Sequence, residues 1–73
     1  MANRTKFREL YERIREAYLD DMGEMCGIEY DLRKDGFLKT ADFIKSELKT
    51  GEEMIRVSLL VSLQDEFNLS PQR

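Results

Sequence analysis

Seventy-three residues with a formal charge of −3 leave room for one hydrophobic core and no second, so residues 1–73 are expected to form a single domain. The longest wholly apolar run, Leu59-Leu60-Val61, is far below the roughly 20 residues that cross a bilayer, which argues against a membrane protein. Histidine is absent and no glycine-rich phosphate loop is present, which excludes Ser-His-Asp and Cys-His catalysis within one chain and predicts a non-enzymatic protein with no cofactor.

The first segment, "RTKFRELYERIREAYLDDM", carries Phe7, Leu10, Tyr11, Ile14, Ala17 and Tyr18 at the three-and-four spacing of one helix face and predicts a helix ending near Leu19 to Met22. Glu9 with Arg13 and Arg8 with Glu12 are spaced as i,i+4 ion pairs on its solvent side. From Gly23 to Gly36 the pattern changes. Two glycines weaken a helix, "IEYDL" alternates with the period of a strand, and Asp35-Gly36 is a turn dipeptide, so this middle segment is expected to be irregular or a short β-hairpin. Cys26, lying in it, is expected to be a small buried hydrophobe.

A second helix is predicted over "ADFIKSELK", with Thr40 as its N-cap, Asp42 near its positive end and Ala41, Ile44 and Leu48 on its inner face. Phe37 and Leu38 are expected to enter the core just before it. "TGEE" reads as a capping box in which Thr50 opens a third helix, "EEMIRVSLLVSLQDEF". That helix has an apolar arc too wide for a three-helix protein to cover. Pro71 in "NLSPQR" marks the helix exit. The expected fold is all-α: a small three-helix domain.

The stretch from Asp31 to Asp42 places aspartates first, fifth and twelfth in a twelve-residue frame, with Gly36 sixth and Leu38 eighth. In this it resembles a calcium loop of the EF-hand family, which implies oxygen ligands from those aspartates. It departs from that pattern at the third place, Arg33, and the ninth, Lys39, and its three aspartates are balanced by Arg33, Lys34 and Lys39. A degenerate calcium module is the less favoured reading beside a turn followed by a helix start. No metal site is predicted.

Two surfaces stand out as candidates. Arg4, Arg8 and Arg15 share one margin of the first helix with Tyr11 and Tyr18, a combination suited to contacting a partner. Met54, Val57, Leu60 and Val61 extend the apolar arc of the last helix and predict self-association, a homodimer. With a lone Cys26 and no export signal in "MANRTKF", the chain reads as a cytoplasmic, helical protein-protein interaction module that regulates or inhibits a larger protein or complex. Its size also fits a bacteriophage or mobile-element protein. The alternative is a dimeric DNA-binding transcriptional regulator built on the basic margin of the first helix. A net acidic chain does not favour nucleic acid, because bulk electrostatic attraction to phosphates needs a basic surface.

Overall fold

The structure is a computed structural model that describes residues 4–51 and 53–69. These residues form four α-helices and no strand: α1 Arg4–Glu16, α2 Met22–Lys34, α3 Leu38–Thr50 and α4 Arg56–Leu69. The all-α expectation holds, but there are four helices instead of three, and the segment expected to be irregular or hairpin-like is α2.

The reason lies in burial. Met25, Ile28 and Leu32 fall at helical spacing and all three are fully buried, so each contributes about 1.5–3 kcal/mol of transfer free energy if the segment is helical. Gly23 and Gly27 each oppose the helix by only about 1 kcal/mol. The alternation in "IEYDL" also loses to this period. Asp21, within the reach expected for the first helix, instead starts α2: its Oδ1 accepts the Glu24 backbone N–H at 3.1 Å. The first helix accordingly stops earlier than expected, at Glu16.

Consecutive helices run antiparallel, and α4 closes against α1. Phe7 stacks on Phe67 with ring centroids 4.2 Å apart near one end of the α1/α4 pair, and Arg56 reaches the carbonyls of Ile14 and Arg15 near the other. Phe7 also lies 6.4 Å from Phe37, which follows α2, while the Tyr18 backbone N–H donates to Glu24 at the opposite end. The diagonals α1/α3 and α2/α4 do not come within packing distance, so each helix keeps one outward face. The core draws equally on the four quarters of the chain: Leu10, Ile14 and Ala17; Met25, Ile28 and Leu32; Phe37, Ala41 and Ile44; Leu59, Leu63 and Phe67.

The junction between α2 and α3 explains the opening half of the calcium-like stretch. Gly36 has φ 93°, its N–H donates to the Arg33 carbonyl at 3.3 Å, and the Phe37 N–H donates to the Leu32 carbonyl at 2.8 Å. This is the Schellman arrangement, in which the apolar residue after the glycine packs with one in the last helical turn; Phe37 and Leu32 are both fully buried. Leu38, expected in the core with Phe37, is 50% exposed because it begins α3 on the side away from the other helices. Two of its three aspartates are already engaged: Asp31 pairs with Arg13, and Asp42 with Arg33 at 2.9 Å. Glu29 and Asp42 together hold the Arg33 guanidinium above its already high range.

Gly27 has a different task. A Cβ there would lie 3.2 Å from Nη2 of Arg13, whose guanidinium crosses α2 on its way to Asp31. We therefore expect opposite effects from two alanine substitutions. Gly36→Ala forces a side chain into left-handed backbone and should lower unfolding free energy by about 1–2 kcal/mol. Gly27→Ala meets only the movable end of an exposed arginine and should be neutral or stabilising by up to about 1 kcal/mol. Urea denaturation of both variants checks the pair.

The remaining helix ends depart from the sequence reading in one consistent way. Thr40 is not the α3 N-cap; it sits inside the first turn, fully buried, and Phe37 occupies the cap position without a side-chain bond. Instead Glu66 of α4 accepts the backbone N–H groups of Lys39 at 2.9 Å and Thr40 at 2.8 Å, and the Thr40 hydroxyl at 2.8 Å. Arg56 of α4 does the converse for α1, donating from Nη1 at 2.7 Å to the carbonyls of both Ile14 and Arg15 in its last turn. A carboxylate thus meets a positive helix end and a guanidinium a negative one, both supplied by α4. Thr50, expected to cap the last helix, closes α3, its hydroxyl donating to the Ser46 carbonyl at 3.0 Å and Gly51 following at φ 74°. Residues 51–55 connect it to α4, which begins at Arg56; Glu52 and Pro71, parts of the expected third helix and its exit, lie outside the described residues.

Candidate functional site

α4 buries one row, Leu59, Leu63 and Phe67, at a spacing of four. Its opposite row is also apolar: Val57 is 66% and Val61 54% exposed, and these two form a ridge standing out from the bundle. A shallow groove runs on each side. Toward α1, Tyr11 and Leu60 join Val57 and Val61, with Gln64 and Asp65 at the end of the groove. Toward α3, Phe43 and the small side chains of Ser58 and Ser62 form the floor, with Lys39, Asp65 and Glu66 near one end. An apolar ridge between two grooves is the shape that another helix packs against.

The sequence-predicted residues divide along this geometry. Val57, Leu60 and Val61, predicted for self-association, lie together as expected of one helix face, and Tyr11 from the predicted partner-binding set joins them. Tyr11 is half-buried and its ring lies 5.6 Å from Phe7, so it is anchored to the core and offers only its outer edge. Met54 leaves its group. It precedes α4, packs partly against the core and lines a separate pocket of about 530 Å³ at the end of the bundle with Tyr18, Leu19 and Leu48. Tyr18 lies past the end of α1, largely exposed, and is thereby separated from Tyr11.

Arg4, Arg8 and Arg15 are all exposed on α1, as the helical wheel places them. Arg15 is engaged with Glu12 at 3.1 Å, and Arg13 turns to Asp31, so neither expected i,i+4 pair of α1 forms. A surface guanidinium already shared with a carboxylate is a weaker grip for phosphate, which lowers the value of this margin as an anion site.

The end pocket contains a further feature that the sequence pattern hid. One carboxylate oxygen of Glu47 is buried there and has no hydrogen-bond partner among the described residues. Asp20 and Glu53 also line it, and the one cation among its described lining residues, Arg56, spends Nη1 on α1. No group of three or more acidic, cysteine or histidine side chains among the described residues is arranged to hold a metal ion. Nor, among those residues, is any helix long and apolar enough to cross a membrane.

Sequence reasoning missed Phe43 and the two serines of the α3-side groove, whose convergence with Val57 depends on the packing of α3 on α4. It also missed the outward face of α2. Met22, Cys26 and Tyr30 follow one another at a spacing of four on that face, and Cys26, expected to be buried, is exposed. The signal was present as that spacing; the two glycines outweighed it.

No protein-family model matches the chain, and no curated protein or solved structure matches it either.

Proposed function

We propose that this chain is a non-enzymatic protein-binding module, a small regulator or inhibitor that docks on a larger protein through the outward face of α4. The observation that carries this reading is the Val57–Val61 ridge with its two flanking grooves, where an exposed apolar helix row is bordered by Asp65 and by the half-buried rings of Tyr11 and Phe43. Burying two exposed valines and the edges of two aromatic rings supplies the desolvated centre of an interface, and the polar ends of the grooves supply its rim. The fitting occupant is an amphipathic helix whose apolar row enters one groove, with a basic side chain at the end that meets Asp65. A net charge of −3 favours approach to a basic partner surface in the same sense. The absence of histidine supports a binding role over a catalytic one, and the single cysteine fits a reducing, cytoplasmic setting.

The test is co-purification from the native host with three baits: the unaltered chain, Val57→Asp/Val61→Asp, and Arg8→Glu as a surface control. A partner held by the first and third and lost by the second is expected, with all three melting alike. A partner retained by the double aspartate variant would place the docking surface elsewhere. Tight binding to duplex DNA that falls steeply with salt would replace the reading altogether.

A further inference from the structure

The pocket at the end of the bundle lies where two of the chain's connections meet. Tyr18, Leu19 and Asp20 come from the link between α1 and α2, Glu47 and Leu48 from the last turn of α3, and Met54 from the link into α4. Its volume of about 530 Å³ falls within the range of small-molecule sites, roughly 300–1,000 Å³. The wall is mixed in character. Leu19, Leu48 and Met54 pack partly against the core and give it an apolar side, while the polar side is acidic. It shares no described lining residue with the grooves beside the Val57–Val61 ridge, so what it does is separate from docking on α4.

The fold leaves the acids of this pocket unanswered. Glu47 Oε2 is buried and accepts no hydrogen bond, and a carboxylate oxygen withdrawn from water without a donor costs free energy. Arg56 does not offset that cost: its Nη1 donates at 2.7 Å to the carbonyls of Ile14 and Arg15, and it pairs with none of the three acids. Asp20 and Glu53 likewise have no ion pair among the described residues. Three carboxylates against one guanidinium leave a formal charge of −2 on the described lining. We infer that the pocket binds a linear aliphatic diamine: one ammonium donates to Glu47, the other to Asp20 or Glu53, and the alkyl stem lies on Leu19, Leu48 and Met54.

The distribution of charge selects this class of ligand. The acids of the pocket are not arranged around one point that a metal ion could occupy, so a single compact dication cannot serve them together. A cation with its charge divided between two ends can. An ammonium group brings three donors that rotate freely, which suits a lone buried oxygen better than the planar fork of a guanidinium. A neutral donor would satisfy Glu47 Oε2 but leave the charge unbalanced, and an anion is repelled. The methylenes between two ammonium groups cover apolar surface as the stem of a lysine does. Tyr18, 73% exposed beside the same pocket, offers an aromatic face to either ammonium. A ligand held in this way ties the α1–α2 link to the end of α3, and it therefore stabilises the folded chain.

Titration of the full chain with diaminopentane at constant ionic strength, followed by nuclear magnetic resonance and by thermal melting, tests the inference. The Leu48 and Met54 methyl signals should shift, and the melting temperature should rise by about 6 °C once the diamine exceeds its dissociation constant roughly ten-fold. Glu47→Gln should bind about ten-fold more weakly, the loss of one charge-assisted hydrogen bond. Without diamine that variant should melt no lower than the unaltered chain, because it removes a charge that has no partner. Asp20→Asn/Glu53→Gln should bind diaminopentane no better than Nα-acetyl-lysine amide, which carries one ammonium on a similar stem. Glu9→Gln, on the exposed side of α1, and Val57→Asp/Val61→Asp should bind as the unaltered chain does. The inference is overturned if millimolar diamine leaves the two methyl signals in place, or if Glu47→Gln binds unchanged or melts well below the unaltered chain. An equal rise in melting temperature with magnesium chloride would reduce the effect to general counterion binding and overturn it. Equal affinity of the unaltered chain for Nα-acetyl-lysine amide would do the same, giving the pocket to a lysine side chain of a protein partner.

Discussion

Glu66→Ala is expected to lower the unfolding free energy by about 3 kcal/mol, equivalent to a fall of roughly 15 °C in melting temperature for a chain this small. The size follows from what the carboxylate holds. Two first-turn N–H groups of α3 and the buried Thr40 hydroxyl all donate to it, at 2.8–2.9 Å, and α3 has no cap of its own because Phe37 occupies that position. Removing the side chain leaves those donors without their acceptor; only the hydroxyl keeps an alternative, Ser62 Oγ at 3.1 Å. Bonds to a charged group are worth about 1.5–3 kcal/mol each, but the three share one carboxylate and will not add. Glu66→Gln retains one acceptor oxygen and loses the charge, so it should recover about half the loss. Asp65→Ala, one residue away and exposed, should change little. Equal effects from Glu66→Ala and Asp65→Ala in urea denaturation would show that the cross-helix cap does not contribute as described.

That cap also marks where sequence reasoning stops. Helices α1 and α4 were legible because their buried rows, Leu10 with Ile14 and Leu59 with Leu63 and Phe67, repeat at helical spacing without a competing signal. α2 was not, because local propensity and long-range burial disagree there: Gly23, Gly27 and the alternation in "IEYDL" are local, while the burial of Met25, Ile28 and Leu32 depends on α1 and α3 arriving beside them. The helix ends failed for a related reason. Thr40 and Thr50 have the side chains of N-caps, yet α3 takes its N-terminal acceptor from Glu66, twenty-six residues further on, and α1 takes its C-terminal donor from Arg56. Capping patterns detect only partners within a few residues.

The candidate surfaces were legible to the same degree. That α4 carries apolar residues on both sides is visible in "RVSLLVSL", and Val57, Leu60 and Val61 do sit on one accessible face. Which of its neighbours complete that face, and that Met54 and Tyr18 belong to the other end of the bundle, required the packing of four helices. Cys26 and Leu38 went the opposite way, to the surface: a residue beside a buried one in a helix is turned by about 100°, and a shift of one position exchanges inside for outside.

Phe37→Ala is expected to have the largest effect of any single change, about 3–5 kcal/mol, which approaches the whole stability of a chain that holds on the order of 5 kcal/mol. Phe37 joins three parts of the fold at once. It is the apolar residue that completes the α2 ending, its carbonyl accepts the Ala41 N–H of α3 at 3.0 Å, and its fully buried ring faces Phe7, which in turn stacks on Phe67 of α4. The backbone bonds survive the substitution, so what is lost is the packing that ties the α2/α3 corner to the α1/α4 pair. The expected product keeps much of its far-ultraviolet helical signal while its near-ultraviolet signal and cooperative melting weaken. Phe37→Leu, which fills most of the space, should cost less than half as much. Leu38→Ala is the decisive neighbour: half-exposed and adjacent in sequence, it should cost under about 1 kcal/mol. A Leu38→Ala loss as large as that of Phe37→Ala would mean that the corner, not the ring, is what holds the four helices in one core.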